Sequence, residues 1–559
     1  MTTTLRQSAG NAQSYAEGSA KVPEIMKAMG YDSFREGQGE TISMLLSELD
    51  VICVLPTGSG KTACGIIPTV ALNWRTVIFS PLIALMRDQA RGMSESGVRA
   101  ATVNSQSAPI EVQTAYSDWS RGMLNILIVS PERLADPLFK RAMNQYPPDC
   151  CIVDESHTLS QWCDAFRPAY KRIGDFIADM QPKVVGAFTA TATDSIVGDI
   201  RSVLHMENAV LLNFSKERKN LIQHNLPDTS IEGIASLLPV GESSIIYCQT
   251  TKVVEEMAVK LTDQLGRSAT YYHGQMGTND KKVNQDNWSS GRTDIIVATN
   301  AFGMGIDKPD VRNVVFFGFP GSLEEYSQGI GRGGRDGKPC QCYLVNSKGC
   351  EFMQEFLWSS SNPSASCVQS VYAFLKHVAT SDNCIMLTIK DISKQSGIKE
   401  AAAAIQTLDG SKVIERVDPP SKIAYIRFDP SGTDNKNWNR IHDVVREGGI
   451  LGDNGFYQFD YNYLLAKISE VSQSTVRNWI NKLRGEGMIE YEPPFAGKIT
   501  RIIGDISLVD VSALDMRRAY EFKRLMLVRE LATLKDEEMG AYVQGYFDKG
   551  GLDVESFRR

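Results

Sequence analysis

Long hydrophobic runs are missing from this 559-residue chain. No stretch approaches the roughly 18 consecutive apolar residues of a membrane-spanning helix, so a soluble protein without a membrane partner is expected. Residues 1–21 are rich in Thr, Ser, Ala, Gly and Gln, contain no apolar core of signal-peptide length, and carry Arg6 as their only arginine. They read as a disordered lead-in to an intracellular protein, cytoplasmic in a prokaryote or virus and nuclear in a eukaryote. An excess of positive charge is missing too: 59 Lys and Arg face 66 Asp and Glu, a net charge of -7. That excludes a histone-like protein holding nucleic acid by bulk charge, but leaves a local groove open. The 11 cysteines include no C-x₂-C pair, and none lies beyond Cys384. A structural zinc is therefore not expected, and Cys340 and Cys342, on one face of an expected strand, read as core packing. Cysteines inside apolar runs, such as Cys53, Cys151 and Cys248, read as reduced, buried thiols. No short-period repeat is present, which excludes a solenoid.

What is present is ordinary globular composition, 42% hydrophobic and 22% charged. At about 100–200 residues per domain, the length predicts roughly three to five domains. Strands are expected at residues 50–55, 76–79, 124–129, 150–153 and 183–188, and again at 244–247, 269–272, 294–297, 313–317 and 341–345. Strands alternating with helices imply parallel sheets flanked by helices, so the fold class is α/β with two such domains in tandem, divided near 208–225. After residue 348 helices dominate. Residues 389–398 and 400–408 read as two helices followed by a hairpin through 413–428. Residues 463–471 and 473–485 repeat the pattern with a hairpin through 488–503. Both read as winged helices, the second with Ser472 opening a helix that carries Lys482 and Arg484 toward DNA. That second module reads equally as a protein-docking element. A last helical stretch, 513–547, carries the basic cluster Arg517, Arg518, Lys523 and Arg524.

Two segments carry chemistry. Pro56-Thr57-Gly58-Ser59-Gly60-Lys61-Thr62 joins an expected strand to an expected helix, the form of a phosphate-binding loop. Its glycines, with Thr57 and Ser59, let backbone N–H groups close on phosphate oxygens. Lys61 would reach the β- and γ-phosphates of ATP, and the Thr62 hydroxyl would hold Mg²⁺. Leu55 stands where the strict pattern has glycine. The partner is Asp154-Glu155 at the end of a later strand. Asp154 would hold Mg²⁺, and Glu155 would polarise the attacking water.

Several further segments resemble the RecQ family of superfamily 2 DNA helicases. Tyr31-Asp32-Ser33-Phe34-Arg35-Glu36-Gly37-Gln38 resembles its adenine-reading motif; the resemblance implies that Tyr31 or Arg35 stacks on the base and Gln38 bonds its edge. Met29 replaces the usual aromatic before Gly30. Ser80 to Gln89 and Ser130 to Leu134 resemble strand-contacting motifs, with Ser80 a nucleic-acid contact, and Thr189 to Ala192 resembles the family's motif III. Ser160-Gln161-Trp162-Cys163-Asp164-Ala165-Phe166-Arg167-Pro168 resembles the family's aromatic-rich loop. Trp162 and Phe166 would stack on single-strand bases at about 1–3 kcal/mol each, and Arg167 would pair with phosphate or the acids. Cys163, Asp164 and Ala165 replace the usual Gly, His and Asp.

Gln328-Gly329-Ile330-Gly331-Arg332-Gly333-Gly334-Arg335-Asp336-Gly337 is similar to the motif that supplies Gln328 and the arginine fingers Arg332 and Arg335. Ala298 to Pro309 is similar to the motif whose Thr299 contacts the tracking strand, with Asp307 beside a finger. Ile246-Tyr247-Cys248 and Tyr272-His273-Gly274 resemble two shorter ones, His273 being as well structural as functional.

The resemblance implies two RecA-like domains, at 22–208 and 209–347, a helical linker at 348–380, winged helices at 381–430 and 437–505, and a C-terminal helical segment at 510–559. The family's four-cysteine zinc module is not recognisable, nor is a helicase-and-RNase-D-like domain after Phe547. The implied activity is ATP- and Mg²⁺-dependent 3′-to-5′ unwinding of duplex or branched DNA, in repair, recombination or replication. Repair or replication proteins would be met through the winged-helix region. Two other readings stand beside it: a related RNA helicase, and a nucleic-acid-stimulated ATPase acting as sensor or scaffold.

Overall fold

A computed structural model describes residues 11–56, 58–81, 83–160, 168–190, 192–214, 218–302, 308–346, 349–419 and 422–552. It divides into two compact units, residues 1–354 with 520–559, and residues 355–519.

The first unit contains two parallel sheets, as the alternation of strands and helices implies. In the first lobe the strands are β1 (Val51–Val54), β2 (Thr76–Phe79), β3 (Ala100–Val103), β4 (Ile126–Val129), β5 (Cys150–Val153), β6 (Val184–Thr189) and β7 (Val210–Asn213). Their order is β3-β4-β2-β5-β6-β1-β7. In the second lobe they are β8 (Leu221–Pro227), β9 (Ser243–Cys248), β10 (Ala269–Tyr272), β11 (Ile295–Ala298), β12 (Val311–Phe317) and β13 (Cys340–Asn346), in the order β10-β11-β9-β12-β13-β8. Side chains alternate between faces along a strand, so helices on both faces demand an unbroken apolar run. Val51 and Cys53 enter one core of the first lobe while Ile52 and Val54 enter the other. Tyr247 and Cys248 divide between the two cores of the second lobe in the same way. Cys53, Cys151 and Cys248 are buried, as their apolar neighbours imply. Burial pushes the Cys53 thiol up to about 11, which leaves it protonated and inert at neutral pH. Cys340 and Cys342 fill the core beneath β13. Among the described residues no group of three His, Cys, Asp or Glu side chains could hold a metal ion, and no helix is long and apolar enough to cross a membrane.

Three local expectations need correction in this unit. Residues 12–21, expected in the disordered lead-in of 1–21, belong to the helix Ala12–Ala28, capped by Asn11 through Ser14 N. Gly18, Val22 and Met26 recur at one-turn spacing and are buried on the first lobe. A Cβ on Gly18 would lie 2.4 Å from Leu46 Cδ2, so only glycine admits the helix this closely. The segment 208–225 contains two strands, β7 ending the first sheet and β8 edging the second. Both are half-exposed edge strands, which lack the continuous apolar run of the buried ones.

The C-terminal segment, expected as one stretch over 513–547, is two helices, Val511–Leu531 and Asp536–Asp548. Val528, Leu531, Met539 and Val543 complete a core of the second lobe, so the segment belongs there from Tyr520 onward. Arg524, one of the basic cluster, is 3% exposed and paired with Glu521 at 2.8 Å and Glu324 at 3.3 Å.

The second unit holds the two helix pairs expected, but not the two hairpins. Its strands are β14 (Cys384–Ile385), β15 (Ile414–Val417), β16 (Ile423–Phe428), β17 (Ile450–Leu451), β18 (Tyr457–Asp460), β19 (Ile489–Glu492) and β20 (Ile499–Ile502). Consecutive strands exchange partners: β15 pairs antiparallel with β20, and β16 with β19. The module made of residues 422–492 is therefore inserted between the two paired strands of the first module. Pro419-Pro420 and Pro493-Pro494 stand in the two connections. Proline supplies no N–H to a hairpin ladder and restricts the residue before it, so the sequence at both places weighs against a tight reversal. The boundaries 381–430 and 437–505 are corrected accordingly. The inserted module has its own core, including Ile426, Trp438, Ile441, Leu464, Ile480 and Leu483. The outer module's core needs Ile502, Ile506 and Val509 from beyond the insertion.

A fragment of residues 422–492 is expected to unfold cooperatively on heating, followed by circular dichroism. A fragment of 363–430 is expected to show no transition, because it lacks β20. Arg524→Met, which removes the buried cation between Glu521 and Glu324, is expected to cost about 3 kcal/mol in urea unfolding of the full chain.

Candidate active site

The site grows from the carboxyl ends of adjacent strands in the first sheet. β1 adjoins β6, β6 adjoins β5, and β5 adjoins β2. The segments leaving these strands are therefore brought side by side: the glycine loop after β1, Asp154-Glu155 after β5, Ser80 after β2. This placement needs no contact between residues near in sequence.

In the glycine loop Gly58 has φ +79° and Gly60 φ +80°, the left-handed region open to glycine. Gly60 caps the helix Lys61–Ala71, whose first N–H groups point into the loop. The motif before the loop holds it from outside. Gln38 Nε2 donates to Ser59 O at 2.9 Å and Gly60 O at 3.2 Å, its Oε1 accepts from Arg35 N at 2.8 Å, and Arg35 Nη1 donates to Gly58 O. Tyr31 is 43% exposed nearby in sequence, as a stacking surface would be. Lys61 Nζ lies 3.5 Å from Leu55 O, and the Thr62 hydroxyl accepts from Gln89 Nε2 at 3.4 Å. Ser59 Oγ is buried without a hydrogen bond. A helix N-terminus, a lysine, two glycine turns and an orphaned hydroxyl together form a cradle suited to phosphate oxygens.

The acidic pair carries unequal charge. Burial and the neighbouring Glu155 carboxylate push Asp154 up to about 6, against the pull of Lys61. Glu155 also suffers burial, yet Lys61, His157 and Arg332 outweigh it and hold its carboxyl below the usual range. Glu155 sits at φ +48°, uncommon for a residue with a side chain and of the kind found at strained functional turns. His157 Nδ1 lies 3.3 Å from Glu155 Oε2 and 2.9 Å from Thr189 Oγ1, tying the acids to the segment after β6.

The second lobe adds the opposite charge. Gln328 lies on the helix Leu323–Ile330, and the loop beyond it carries Arg332, 8% exposed, and Arg335. A Cβ on Gly58 would lie 2.9 Å from Arg335 Cδ, so the arginine stem rests on the glycine loop of the other lobe. Lys61, Asp154, Glu155, Arg332 and Arg335 are thus brought into one cleft.

Ser80 is corrected. It is 1% exposed and bonds Asp154, because β2 and β5 are neighbours and Phe79 pairs with Val153. That makes it a partner of the acid, not an exposed strand contact. Thr299 is half-buried after β11, its N–H bonded to Tyr272 O at 3.2 Å. Thr57, Trp162, Phe166, Arg167 and Asp307 lie outside the described residues. Sequence reasoning passed over Gln89, His157 and Arg218. His157 stands inside the acid box and was legible there; Gln89 and Arg218 act through long-range contacts that no spacing announces.

The DEAD/DEAH box helicase family matches residues 35–199, and the helicase conserved C-terminal domain matches 230–337. A Bacillus subtilis protein named probable ATP-dependent DNA helicase RecS is 33% identical over 386 residues, which cover 68% of this chain and 77% of that protein. The ATP-dependent DNA helicase RecQ of Haemophilus influenzae is 36% identical over 325 residues, 57% of this chain and 52% of its own length. The chain thus spans about half of that RecQ protein and most of RecS. The Saccharomyces cerevisiae Dbp5 structure, bound to RNA and ADP BeF3, shares the fold with a TM-score of 0.51 at 19% identity, over 62% of this chain and 92% of that one. Its two lobes are the RecA-like pair expected here. Identity of this degree across most of RecS, with both helicase domains matched in order, makes the chain a member of the RecQ family of superfamily 2 helicases.

Proposed function

We propose that this RecQ-family enzyme hydrolyses ATP to move 3′ to 5′ along single-stranded DNA and to unwind duplex or branched DNA in repair, recombination or replication. The observation that carries the reading is the cleft in which Lys61 and Glu155 of one lobe meet Arg332 and Arg335 of the other. ATP would lie in the glycine-loop cradle of Gly58, Ser59, Gly60, Lys61 and Thr62, with Thr57. Tyr31 and Arg35 would face its base, and Gln38, whose amide bonds the glycine loop in the structure, would exchange those bonds to reach the base edge. Mg²⁺, held by Thr62 and Asp154, would supply charge neutralisation at the phosphates. Metal binding suits Asp154, whose burial beside Glu155 leaves it in want of positive charge.

In this reading Glu155, held below the usual carboxyl range by Lys61, His157 and Arg332, takes the proton of the attacking water. Arg332 and Arg335 stabilise the charge that develops on the transferred phosphoryl group, and Gln328 orders the same face of the cleft. Closure requires both lobes, so each hydrolysis cycle changes their separation. If each lobe holds DNA, through Trp162, Phe166 and Arg167 in one and Thr299 in the other, alternate grip becomes movement. The His157–Thr189 contact joins the acids to the end of β6, where the segment resembling motif III begins. The winged-helix reading of the second unit makes it the element that meets the duplex or partner proteins.

Lys61→Ala is expected to abolish DNA-stimulated ATPase and unwinding together. Glu155→Gln is expected to lower kcat by about 10²–10⁴-fold with nucleotide binding retained, measured by phosphate release and a fluorescent ATP analogue. Strand displacement from a 3′-tailed duplex, and none from a 5′-tailed one, is the expected outcome with native chain. ATP turnover without displacement would select the sensor reading, and preference for RNA tails the RNA helicase.

A further inference from the structure

The finger loop has an architectural weakness. Gly331, Gly333 and Gly334 surround Arg332, and glycine gives up more conformational freedom on ordering than any other residue. A loop of this composition does not hold an arginine in place by itself. The structure shows what does. Arg218, just before β8 and at the far end of the chain between the lobes, donates from Nη1 to Gly331 O at 3.0 Å. Its Nη2 donates to Gly333 O at 2.9 Å and to Gly334 O at 2.5 Å. Asn220 Nδ2 reaches Gly334 O at 2.8 Å and Lys338 O at 2.9 Å. The other side of the loop is closed by β13: a Cβ on Gly333 would lie 2.2 Å from Cys340 Sγ.

A guanidinium presents several N–H groups in one rigid plane, so a single side chain can collect three carbonyls that point the same way. Arg332 sits between two of those carbonyls, and its orientation toward Glu155 follows from theirs. Arg218 itself bonds loop backbone, not the acids or the glycine loop.

We propose that Arg218 is the positioning residue of the finger loop: by gathering the carbonyls of Gly331, Gly333 and Gly334 it presets Arg332 for phosphoryl transfer. Resting on the hydrolysis reading above, this makes the interlobe connection a contributor to turnover and not only a tether.

The experiment measures DNA-stimulated ATPase of the full chain in Arg218→Ala, Arg218→Lys, Arg332→Ala and the double variant Arg218→Ala/Arg332→Ala. A mispositioned finger costs turnover but not binding. Arg218→Ala is therefore expected to lose about 10–100-fold in kcat, while affinity for a fluorescent ATP analogue changes by less than about twofold. Arg218→Lys, with a single ammonium, is expected to fall between the two. Added guanidinium ion at about 10 mM, against NaCl of equal ionic strength, is expected to raise kcat of Arg218→Ala but not of Arg332→Ala. In the Arg332→Ala background the second substitution is expected to cost much less than it does in the native chain, because the carbonyls Arg218 gathers flank that finger. A full additional loss in the double variant, or equal loss of nucleotide affinity, would overturn the positioning role. Native turnover in Arg332→Ala would instead remove the finger reading itself. Should Arg218→Ala fail to fold, Arg218→Lys decides alone: native kcat in it contradicts the need for a planar fork.

Discussion

The cleft depends on one electrostatic constraint: two adjacent carboxylates are buried at the end of β5, and burial pushes both upward. Only one is relieved. Glu155 is drawn down by Lys61 from the glycine loop, by His157 beside it and by Arg332 from the other lobe. Asp154 receives less and stands at about 6. The asymmetry is chemically useful, since a base must be ionised while a cation ligand can wait for its cation. It also ties the lobes together. Separating them withdraws Arg332 and leaves a buried charge less compensated, so the acid pair itself favours a closed arrangement. Breaking a buried ion pair is costly in proportion to how dry the site is.

Parallel sheets make this crowding of charge attainable. Every strand of the first sheet ends at the same edge, and lateral order alone decides which loops touch. The glycine loop and the acids lie one strand apart, with β6 between them, and β6 brings Thr189 to His157. Leu55 N extends the pairing by bonding Thr189 O at 2.9 Å. One imidazole thus joins the acid pair to the end of β6.

Most of this chemistry was legible in the sequence because phosphate binding and hydrolysis restrict residue type at fixed spacing. Lys61 after two glycines, the acidic pair after an apolar strand and the arginines in a glycine loop can hardly be written otherwise. Long-range pairing leaves no such trace. Ser80 read as an exposed strand contact, whereas the lateral order of β2 and β5 turns it onto Asp154. The helix Ala12–Ala28 was hidden because three small or apolar residues at one-turn spacing are thin evidence in a Ser- and Ala-rich stretch. The strand exchange in the second unit was hidden for the opposite reason: two convincing hairpin patterns are present, and only the Pro-Pro pairs contradict them. Periodicity identifies strands; it does not name their partners.

The basic residues near the C-terminus show how far charge can mislead when read along the chain. Arg517, Arg518, Lys523 and Arg524 suggest a nucleic-acid surface in a protein whose net charge is -7. Arg524 is buried between Glu521 and Glu324, and Tyr546 donates to the same Glu324 at 2.6 Å. Arg518 lies over the Trp358 ring at 4.3 Å and donates to Asn362 O. Two of the four are therefore committed to internal partners. If a motor grips DNA, its grip can come from backbone N–H groups, hydroxyls, aromatic faces and single cations at strand ends, where each contact can be made and broken in a cycle. A permanently basic surface would bind tightly through counterion release and resist that cycle. An acidic chain that commits Arg518 and Arg524 to internal partners accords with such a requirement.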